Sequence, residues 1–324
     1  MQPTVQPGKA PTVLVLGGSG FIGRHAVAAL LAEGRRVIIA SRHPERIDRK
    51  LPPGAADCPR RRIRMETLLE TQQWRPLLAD VDAVLNCVGI LRQRGAETYE
   101  RVHHLAPAAL ARACRSSDVR LLHVTALGLA HPARSRFLTS KLAGENAIRH
   151  SGADWRLVRP SLLDGEGGYG AKWIRRVARW PVHALPADAL GKIAALDVAE
   201  LGEALATLAL KPIAPDSETS VREFELGGPE RLSILELMAA IRRLHTHKPA
   251  MSWRVPALLA RLGSHACDLL HVTPYSYGHY ELLRHDNCPS HNRLPELLGR
   301  HPKAVGLPAS QSAGIPMPQP MPAA

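Results

Sequence analysis

The chain of 324 residues is 45% hydrophobic and 22% charged, which supplies enough apolar surface for a core and excludes wholesale disorder. It carries 42 Lys and Arg against 29 Asp and Glu, a formal net charge of +13, so phosphates, nucleic acid and anionic membrane surfaces are all candidate partners. Aromatic residues make up only 4%, which argues against a single-strand nucleic-acid binder that works by base stacking.

The cysteines and histidines indicate neither a metal site nor a disulfide framework. The five cysteines are widely spaced and form no C-x-x-C pair, so free thiols in a reducing compartment are expected. The closest histidine pairs, His103–His104 and His245–His247, have no carboxylate or Cys partner at metal-ligand spacing, and no metal site is predicted. Neither an apolar signal segment nor the roughly 18-residue apolar stretch of a transmembrane segment is found in the sequence.

The first elements form a strand–helix–strand unit. Thr12–Leu16 is a short apolar run typical of a buried parallel strand, and the glycine-rich loop Gly17–Gly23 follows it directly. Apolar residues then recur at helical spacing up to Gly34, a suitable helix stop, and Arg36–Ala40 is the second strand. This order within about 30 residues is typical of a dinucleotide-binding unit.

Strand and helix signals continue to alternate along the chain. Further strands are predicted near 62–65, 82–88, 120–124 and 155–159, and helices near 74–78, 104–115 and 141–150. The alternation predicts an α/β fold, a Rossmann-like doubly wound parallel sheet, in a domain at 11–212 to which 165–190 contribute on the substrate side. Any ligand is expected at the carboxyl ends of the strands, where the strand order reverses.

The pattern is less regular after residue 165. A capping box at Ser233–Glu236 opens a helix, and further helices are predicted near 256–270 and 275–285. Residues 213–303 are therefore assigned to a smaller C-terminal α/β cap region. Residues 1–10 and the proline-rich tail 304–324 are predicted to be disordered.

The glycine loop carries the clearest binding signal. Gly17, Gly20 and Gly23 form G-x-x-G-x-x-G between a predicted strand and a predicted helix, the context in which such a motif binds a dinucleotide. Residues without a Cβ let the backbone approach a pyrophosphate, and the helix N-terminus offers unpaired N–H groups to it. The residues predicted to contact the nucleotide here are Gly17, Gly18, Ser19, Gly20, Phe21, Ile22 and Gly23.

The end of the second strand bears on the choice of nucleotide. An NAD site usually has an Asp or Glu about 20 residues beyond the loop, where it binds the ribose 2′-hydroxyl. Here Ser41 and Arg42 stand in that place, and a guanidinium can bind a 2′-phosphate with two hydrogen bonds. NADP(H) is therefore favoured over NAD(H), although Arg42 could instead stack on adenine or face water.

Four segments together resemble the short-chain dehydrogenase/reductase superfamily in its extended or atypical form. They are GGSGFIG at Gly17–Gly23, Asn86–Gly89, Ser140–Glu145 and Arg159–Ser161. The similarity covers about residues 12–210 and is nearest to the branch that contains the nucleotide-binding accessory subunit of respiratory complex I. Related bacterial proteins are of the NAD-dependent epimerase/dehydratase type.

The resemblance implies roles for particular positions. Asn86, Val88 and Gly89 would line the adenine ribose and the centre of the sheet. Lys141 would bind the nicotinamide ribose hydroxyls, and Pro160 would lie beside the nicotinamide. These positions extend the predicted cofactor site from the glycine loop across the sheet.

The catalytic part of the family pattern is altered. The family's proton-donating Tyr, four residues before the Lys, is replaced by Phe137, whose ring can neither donate nor accept a proton. Thr125 keeps one hydroxyl of the supporting pair, and Lys141 keeps the ribose-binding role. Another group would have to supply the proton, and the candidates are Tyr99, Tyr169, Asp164 or a water held by Thr125. The catalytic set is therefore Thr125, Lys141 and Tyr169, although an ordinary loop tyrosine is the simpler interpretation of Tyr169.

Two functions remain open at this point. One is an NADP(H)-dependent oxidoreductase or epimerase-like enzyme acting on a nucleotide-sugar, a quinone-related or an isoprenoid substrate. The other is a non-catalytic NADP(H)-binding accessory or assembly protein of a membrane-associated respiratory or quinone-related complex. Phe137 favours the second function, while the glycine loop and Lys141 fit both.

Two basic segments bear on partners and location. Residues 172–180 predict an amphipathic helix, which suits peripheral membrane or protein-complex contact but is better explained by packing of Trp173 and Trp180. The basic run at 34–64 has no nucleic-acid motif beside it, so a nucleotide cofactor and a small-molecule substrate are expected rather than nucleic acid. The predicted location is cytoplasmic, with peripheral contact at the inner membrane left open.

Overall fold

The computed structural model of the protein describes residues 10–46, 51–129, 132–210, 221–270, 273 and 275–305. The predicted disordered N-terminus up to residue 9 and the predicted proline-rich tail from residue 306 lie outside the described residues. The strands are β1 (Thr12–Leu16), β2 (Arg36–Ser41), β3 (Arg60–Arg62), β4 (Ala83–Asn86), β5 (Arg120–Val124), β6 (Trp155–Pro160), β7 (Leu163–Asp164), β8 (Val182–Pro186), β9 (Lys192–Ile193), β10 (Leu196–Asp197), β11 (Glu223–Leu226), β12 (Leu232–Ser233) and β13 (Met251–Val255). The α-helices are α1 (Phe21–Ala32), α2 (Thr71–Trp74), α3 (Ala106–Ser117), α4 (Arg136–Arg149), α5 (Tyr169–Ala178), α6 (Val198–Leu210), α7 (Ile234–Arg243), α8 (Ala257–Leu270), α9 (Tyr277–Arg284) and α10 (Leu294–Leu298).

Seven parallel strands form the central sheet, in the order β3-β2-β1-β4-β5-β6-β11. In β1, Val13 and Val15 pack with α1 and α6, whereas Leu14 and Leu16 pack with α3 on the other face. A strand covered on both faces needs apolar residues at every position, which explains the continuous apolar run of this segment. The predicted Rossmann-like doubly wound fold is confirmed.

The strand order reverses between β1 and β4. The chain leaves β1 towards β2 and β3, and later leaves β4 towards β5 and β6. The loops that follow β1 and β4 therefore lie side by side, so that a methyl group on Gly17 would be 3.2 Å from the side chain of Val88. Ligands of such sheets bind in the crevice at this point.

Two strands differ from the expectation drawn from the sequence. The third strand is Arg60–Arg62 rather than 62–65; the Ile63 N–H still donates to the Ser41 carbonyl at 3.0 Å, and the side chains of Ile63 and Met65 pack into the core with α3. Strand β11 falls within the residues assigned to the cap region, yet it pairs in parallel with β6 and completes the sheet. Phe224 and Leu226 of β11 are buried in the same core as α6, so segment 213–303 contributes to the sheet as well as to the cap.

The C-terminal α/β cap region shares a second, smaller core with α5, β8 and β9 of the preceding segment. Strands β8 and β13 form a parallel ribbon, and β9 pairs with β12 in antiparallel fashion. Ile234, Leu237 and Met238 of α7 pack there with Ala178 of α5. The predicted capping box is confirmed, since the Ser233 side chain accepts from the Glu236 N–H and the Glu236 carboxylate accepts from the Ser233 N–H.

A buried carboxylate joins α4 to the strands β6 and β11. The Glu145 side chain is 1% exposed and accepts from Arg149 at 2.9 Å and from Arg159 at 2.6 Å. The same two arginines bind Glu223 of β11, at 2.6 and 2.7 Å respectively. Because a carboxylate removed from water must be paired to stay charged, this network holds the edge of the sheet in place.

The variant Glu145→Ala should lower the free energy of unfolding by about 3 kcal/mol. The mostly buried Arg159 would lose one carboxylate partner while its charge remains removed from water. Glu296→Ala removes an exposed pair with Arg293 and is the control, with an expected loss below about 1 kcal/mol. Urea denaturation of both variants measures the difference. Equal losses would contradict a structural role for the buried network.

Candidate functional site

A continuous cavity of about 1020 Å³ runs along the carboxyl ends of the central strands and into the C-terminal region. The glycine loop, Ser41 and Arg42 bound one end, and α5, the β8–β13 ribbon and α8 bound the other. Thr125, Lys141 and Pro160 line the stretch between them, so the structure brings the cofactor candidates and the catalytic candidates to one place. The volume is at the upper end of the range for small-molecule sites and accommodates a dinucleotide with a second ligand.

The glycine loop has the backbone conformation that its sequence requires. Gly17 has a φ of +73°, and its carbonyl accepts from the Gly20 N–H at 2.8 Å. A methyl group on Gly23 would lie 2.2 Å from the Gly17 oxygen, so α1 can start this close to the loop only with glycine there. Gly20 caps α1 without a side-chain hydrogen bond, which leaves the first N–H groups of the helix to receive an anion. This cradle fits a pyrophosphate.

The predicted loop residues divide into a lining set and a supporting set. Those that line the cavity are Gly17, Ser19, Gly20, Phe21 and Ile22. Gly18 and Gly23 lie behind the loop, where their missing side chains allow close contact with Ile39 and with the Gly17 backbone.

A glycine-rich segment after β7 covers the first turn of α1. A methyl group on Gly168 would lie 2.7 Å from the Phe21 ring, and Arg24 donates a hydrogen bond to the Glu166 carbonyl. Phe21 therefore lies between the glycine loop and this segment. Tyr169 begins α5 at the end of the segment and lines the cavity, although 61% of the residue is exposed.

The far end of the predicted cofactor site holds the polar groups that bear on NADP(H) against NAD(H). Ser41 is buried, and its Oγ has no hydrogen-bond partner within the described ranges. Arg42 donates to a carboxylate oxygen of Glu97, and the two side chains are 57% and 17% exposed. The guanidinium that was expected to meet a 2′-phosphate is thus already neutralised by a carboxylate that the sequence patterns did not reveal.

A second buried carboxylate lines this end of the cavity. Glu66 is almost fully buried beside Ile63 and Met65, and it accepts from Arg64 Nε at 2.7 Å. No sequence motif marks Glu66, because the surrounding segment has the apolar pattern of a strand. Its place in the cavity wall makes it a candidate acceptor for the base end of a nucleotide.

Asn86 shapes the turn after β4 from within the core. It is fully buried, its Oδ1 accepts from the Val88 N–H at 3.0 Å, and its amide donates to His123 Nδ1 at 3.0 Å. Burial lowers the pKa of His123 to about 3, which keeps that ring neutral and able to accept. Val88 and Gly89 line the cavity, so Asn86 positions the loop that was expected to contact the nucleotide.

Lys141 lines the cavity, and few nearby charges stabilise its ammonium group. Its Nζ lies 5.6 Å from the centre of the Phe137 ring. The carboxylate nearest in sequence, Glu145, is engaged by Arg149 and Arg159, which leaves the ammonium without an ion pair in the described part of the chain. Burial lowers the pKa of Lys141 from 10.5 to about 8, and Glu145 opposes this only in part.

Thr125 offers a hydroxyl with no internal partner. Its backbone N–H donates to the Val158 carbonyl at 2.8 Å, which fixes the residue at the end of β5. Its Oγ1 is buried and makes no hydrogen bond to any other described residue. Because buried hydroxyls are normally paired, this orphan group in a cavity wall suits a ligand carbonyl or hydroxyl.

Phe137 is the centre of an aromatic cluster. His279 of α9 stacks on it at 5.7 Å between ring centres, while Tyr99 and His103 meet it edge-on at 5.6 and 5.7 Å. The His103 ring also accepts from the Ile90 N–H at 3.1 Å, and burial lowers its pKa well below the usual value. The position of the missing Tyr is therefore filled by packed, uncharged rings. The contact of His279 was not predicted, because this residue lies far from Phe137 in the sequence.

The alternative proton donors are differently placed. The Tyr99 hydroxyl donates to the Leu91 carbonyl at 2.9 Å, and burial raises its pKa. Asp164 binds Arg175 through two hydrogen bonds, of 2.6 and 2.9 Å. Tyr99 and Asp164 are engaged elsewhere, whereas Lys141 and Thr125 are not.

The segment 172–180 contributes to the cavity wall. Trp173 lines the cavity and meets Trp180 edge-on at 6.4 Å. Arg175 is taken up by Asp164, and Arg179 lies 3.2 Å from the His245 ring. The tryptophans thus pack together, while membrane or partner contact through this segment stays a prediction.

Among the described residues, no three His, Cys, Asp or Glu side chains are grouped so that they could hold a metal ion. No described helix has the length and apolarity needed to cross a membrane. The five cysteines are free thiols.

Comparison with known proteins places the cavity in a family context. A family model described as NAD(P)H-binding matches residues 17–201, which is more than half of the chain. Ceramide reductase of Caulobacter vibrioides is 29% identical over 161 residues, covering 48% of this chain and 47% of that protein. Subunit 9 of the NADH dehydrogenase (ubiquinone) 1 alpha subcomplex, mitochondrial, of Arabidopsis thaliana is 24% identical over 236 residues, covering 69% and 55%. The chain spans about half the length of these curated relatives.

The fold is also found among solved structures. The structure titled MoeE5 in complex with UDP-glucuronic acid and NAD superposes with a TM-score of 0.62 at 19% identity, covering 90% of this chain and 94% of that one. Because the sequence identity is only 19%, this match shows similarity of fold and nothing more. The family match and the relatives together confirm the resemblance to the short-chain dehydrogenase/reductase superfamily and its complex I branch.

The variant Lys141→Met should raise the melting temperature near pH 7, because it removes a charge that is desolvated and unpaired. The difference in melting temperature between the variant and wild type should become smaller between about pH 8 and pH 10.5. In that window the unfolded wild-type chain binds more protons than the native one, so wild-type stability rises with pH.

Thermal melts at a series of pH values measure this difference. Lys172→Met, at an exposed position of α5, controls for the loss of a lysine as such. A gap between wild type and Lys141→Met that is constant from pH 7 to pH 10.5 would contradict the lowered pKa.

Proposed function

We propose that this chain, which belongs to the NAD(P)H-binding family, is an NADP(H)-dependent reductase that acts on a carbonyl group of a largely apolar substrate. The observation that carries the proposal is the continuity of one cavity from the glycine loop, past Thr125 and Lys141, into a wall of apolar side chains. Of the substrate classes expected from the sequence, a quinone-related or isoprenoid compound suits this wall better than a nucleotide-sugar.

The substrate end of the cavity supports this choice. Its wall is formed mainly by apolar side chains from several elements, among them Leu162, Leu163, Ile174, Val177, Leu185, Ile193, Ile234 and Met238. A sugar ring against such a wall would leave hydroxyl groups without hydrogen-bond partners, which is unfavourable. The ceramide reductase relative supports the same direction, because its name pairs a reduction with a lipid substrate.

The residues present fit a dinucleotide. The uncapped first turn of α1 and the Gly17–Gly23 contact form the pyrophosphate cradle, and Ser41 Oγ is a buried group that still needs a partner. Lys141 and Pro160 would hold the nicotinamide end. When bound, the nicotinamide of NADPH supplies the hydride that reduces the carbonyl carbon.

Two residues of the chain then act on the carbonyl oxygen of the substrate. The Thr125 hydroxyl donates a hydrogen bond to that oxygen, and the Lys141 ammonium transfers its proton to it as the alcohol forms. A pKa of about 8 leaves Lys141 protonated at neutral pH yet acidic enough to give up the proton, which it regains from water. The Phe137 ring supplies no proton, and together with the rings packed on it excludes water from one side of the site.

One observation favours the second function, a nucleotide-binding accessory protein without turnover. The position of the family's Tyr is filled by Phe137 and closed by the stacked His279 from the cap region. A relative that is a mitochondrial complex I subunit supports this alternative. A cytoplasmic location with peripheral contact at the inner membrane is compatible with both functions.

The preference for NADP(H) should depend on the pair Arg42 and Glu97. Arg42→Ala should raise the Kd for NADPH about tenfold, because a charge-assisted hydrogen bond to the 2′-phosphate is lost, and should leave the Kd for NADH nearly unchanged. Glu97→Gln should lower the Kd for NADPH, because the guanidinium is released from its carboxylate partner. Nucleotide fluorescence titration of wild type and both variants measures the Kd of each nucleotide for each protein, and equal responses of NADPH and NADH would refute the assignment.

The reductase proposal is tested by turnover. With NADPH and a short-chain quinone or a long-chain ketone, Thr125→Val should lower kcat about a hundredfold, since a donor to the developing alkoxide is lost, and should keep the Kd for NADPH. Thr139→Val is the control, because the Thr139 hydroxyl donates to the Ser135 carbonyl within α4 and lies outside the cavity wall. A wild-type protein that binds NADPH tightly and reduces none of these compounds would favour the accessory function.

A further inference from the structure

The amphipathic helix α8 has its apolar side turned outward. Leu258, Leu262, Ala266 and Leu269 recur at helical spacing, and Leu270 flanks them; all five are exposed, Leu269 to 80%. Ser264, on the opposite side of the helix, is buried. A surface helix of a soluble domain normally buries its apolar side, so these five residues, called the leucine face below, form a surface built to contact something apolar.

The β8–β13 ribbon continues the leucine face. Met251 and Trp253 of β13 alternate along the strand and therefore point to one side, and they are 72% and 65% exposed. Val182 of β8 pairs with Met251 in register, so its side chain lies on the same side and is also exposed. Trp180, just before β8, is half exposed at the edge of this surface.

The cavity of the proposed reductase opens between these two elements. Leu259, Ala260 and Gly263 of α8 and Val255 of β13 line it directly. Leu259 both lines the cavity and is largely exposed, so it marks the mouth. A ligand entering there passes apolar side chains from the exposed surface to the wall beside Trp173.

Basic residues lie beside the leucine face and form its rim. Arg261 is on α8 next to Leu258 and Leu262, Lys248 lies three residues before Met251 of β13, and both are exposed. The carboxylate of α8, Asp268, is bound to Arg92 at 2.8 Å and does not offset them. An apolar centre with cationic side chains around it complements an interface of acyl chains and anionic headgroups.

We propose that the leucine face and the β8–β13 ribbon dock on an anionic lipid bilayer. The apolar side chains would enter the boundary between headgroups and acyl chains, and Arg261 and Lys248 of the rim would contact the headgroups. In this position the cavity mouth faces the acyl region, so an amphiphile with an apolar tail reaches the site without crossing water. The docking itself is independent of the proposed reductase, whereas this delivery of substrate rests on it.

The length of α8 agrees with this orientation. Its 14 residues are too few to span a bilayer, for which about 20 are needed, so the helix would lie in the plane of the interface. Basic side chains outside a shallow apolar insertion favour anionic over neutral lipid, since each contributes when it lies within a Debye length of the surface.

Vesicle sedimentation with the full chain, without nucleotide or substrate, tests the docking. The probes are phosphatidylcholine vesicles with and without one quarter phosphatidylglycerol. Wild type should sediment with the anionic vesicles, and Leu262→Glu/Leu269→Glu should lower the partition coefficient about tenfold or more, because two leucines lose their insertion. Both leucines are exposed and neither lines the cavity, so the variant should fold and bind NADPH like wild type.

The control adds the same charge elsewhere. Ala32→Glu/Gln72→Glu places two carboxylates at exposed positions of α1 and α2 and should sediment like wild type. Wild type left in the supernatant, or equal binding by all three proteins, overturns the proposal. So does a dimer in light scattering that the leucine variant abolishes, which would show that a second copy covers this face. Turnover of a water-soluble ketone by the leucine variant separates loss of docking from failure of the proposed reductase.

Discussion

The architecture of the site depends on how closely α1 approaches the loop before it. The Gly17 oxygen occupies the space that a side chain at Gly23 would need, so the first turn of α1 rests directly on the loop backbone. The helix axis therefore points at the crevice between β1 and β4, with its positive end facing the cavity. A second close contact, between Gly202 of α6 and the backbone at His25, holds α1 against the neighbouring helix on the same face of the sheet.

The chemistry of the centre is set by which charges are paired. Glu145 is shared by two arginines that brace the edge of the sheet, so it leaves Lys141 alone in the cavity. In a site with the usual Tyr the lysine would act through that residue. With Phe137 in its place, the ammonium and the Thr125 hydroxyl are the groups that can still act on a carbonyl oxygen. Phe137 removes the tyrosine proton donor, and burial makes the ammonium of Lys141 more acidic.

The sequence predicted those features whose signals are local. The sheet follows from short apolar runs, the cradle from glycines between a strand and a helix, and the start of α7 from a capping box of four residues. The sequence did not predict Glu97 beside Arg42 or His279 on Phe137, because these pairs join segments far apart in the chain and neither residue belongs to a periodic pattern. The orientation of α8 was also hidden, since an amphipathic pattern does not say which side is buried.

The state of Lys141 has a consequence for chemical labelling. An amine whose pKa lies near 8 holds far more free base at neutral pH than an ordinary lysine, and the free base is the form that attacks an activated ester or an aldehyde. Lys141 is thus a suitable site for covalent labelling by a probe that enters the cavity. The rate of its acylation would report, in a mixture and without any knowledge of the substrate, whether the cavity is open or filled.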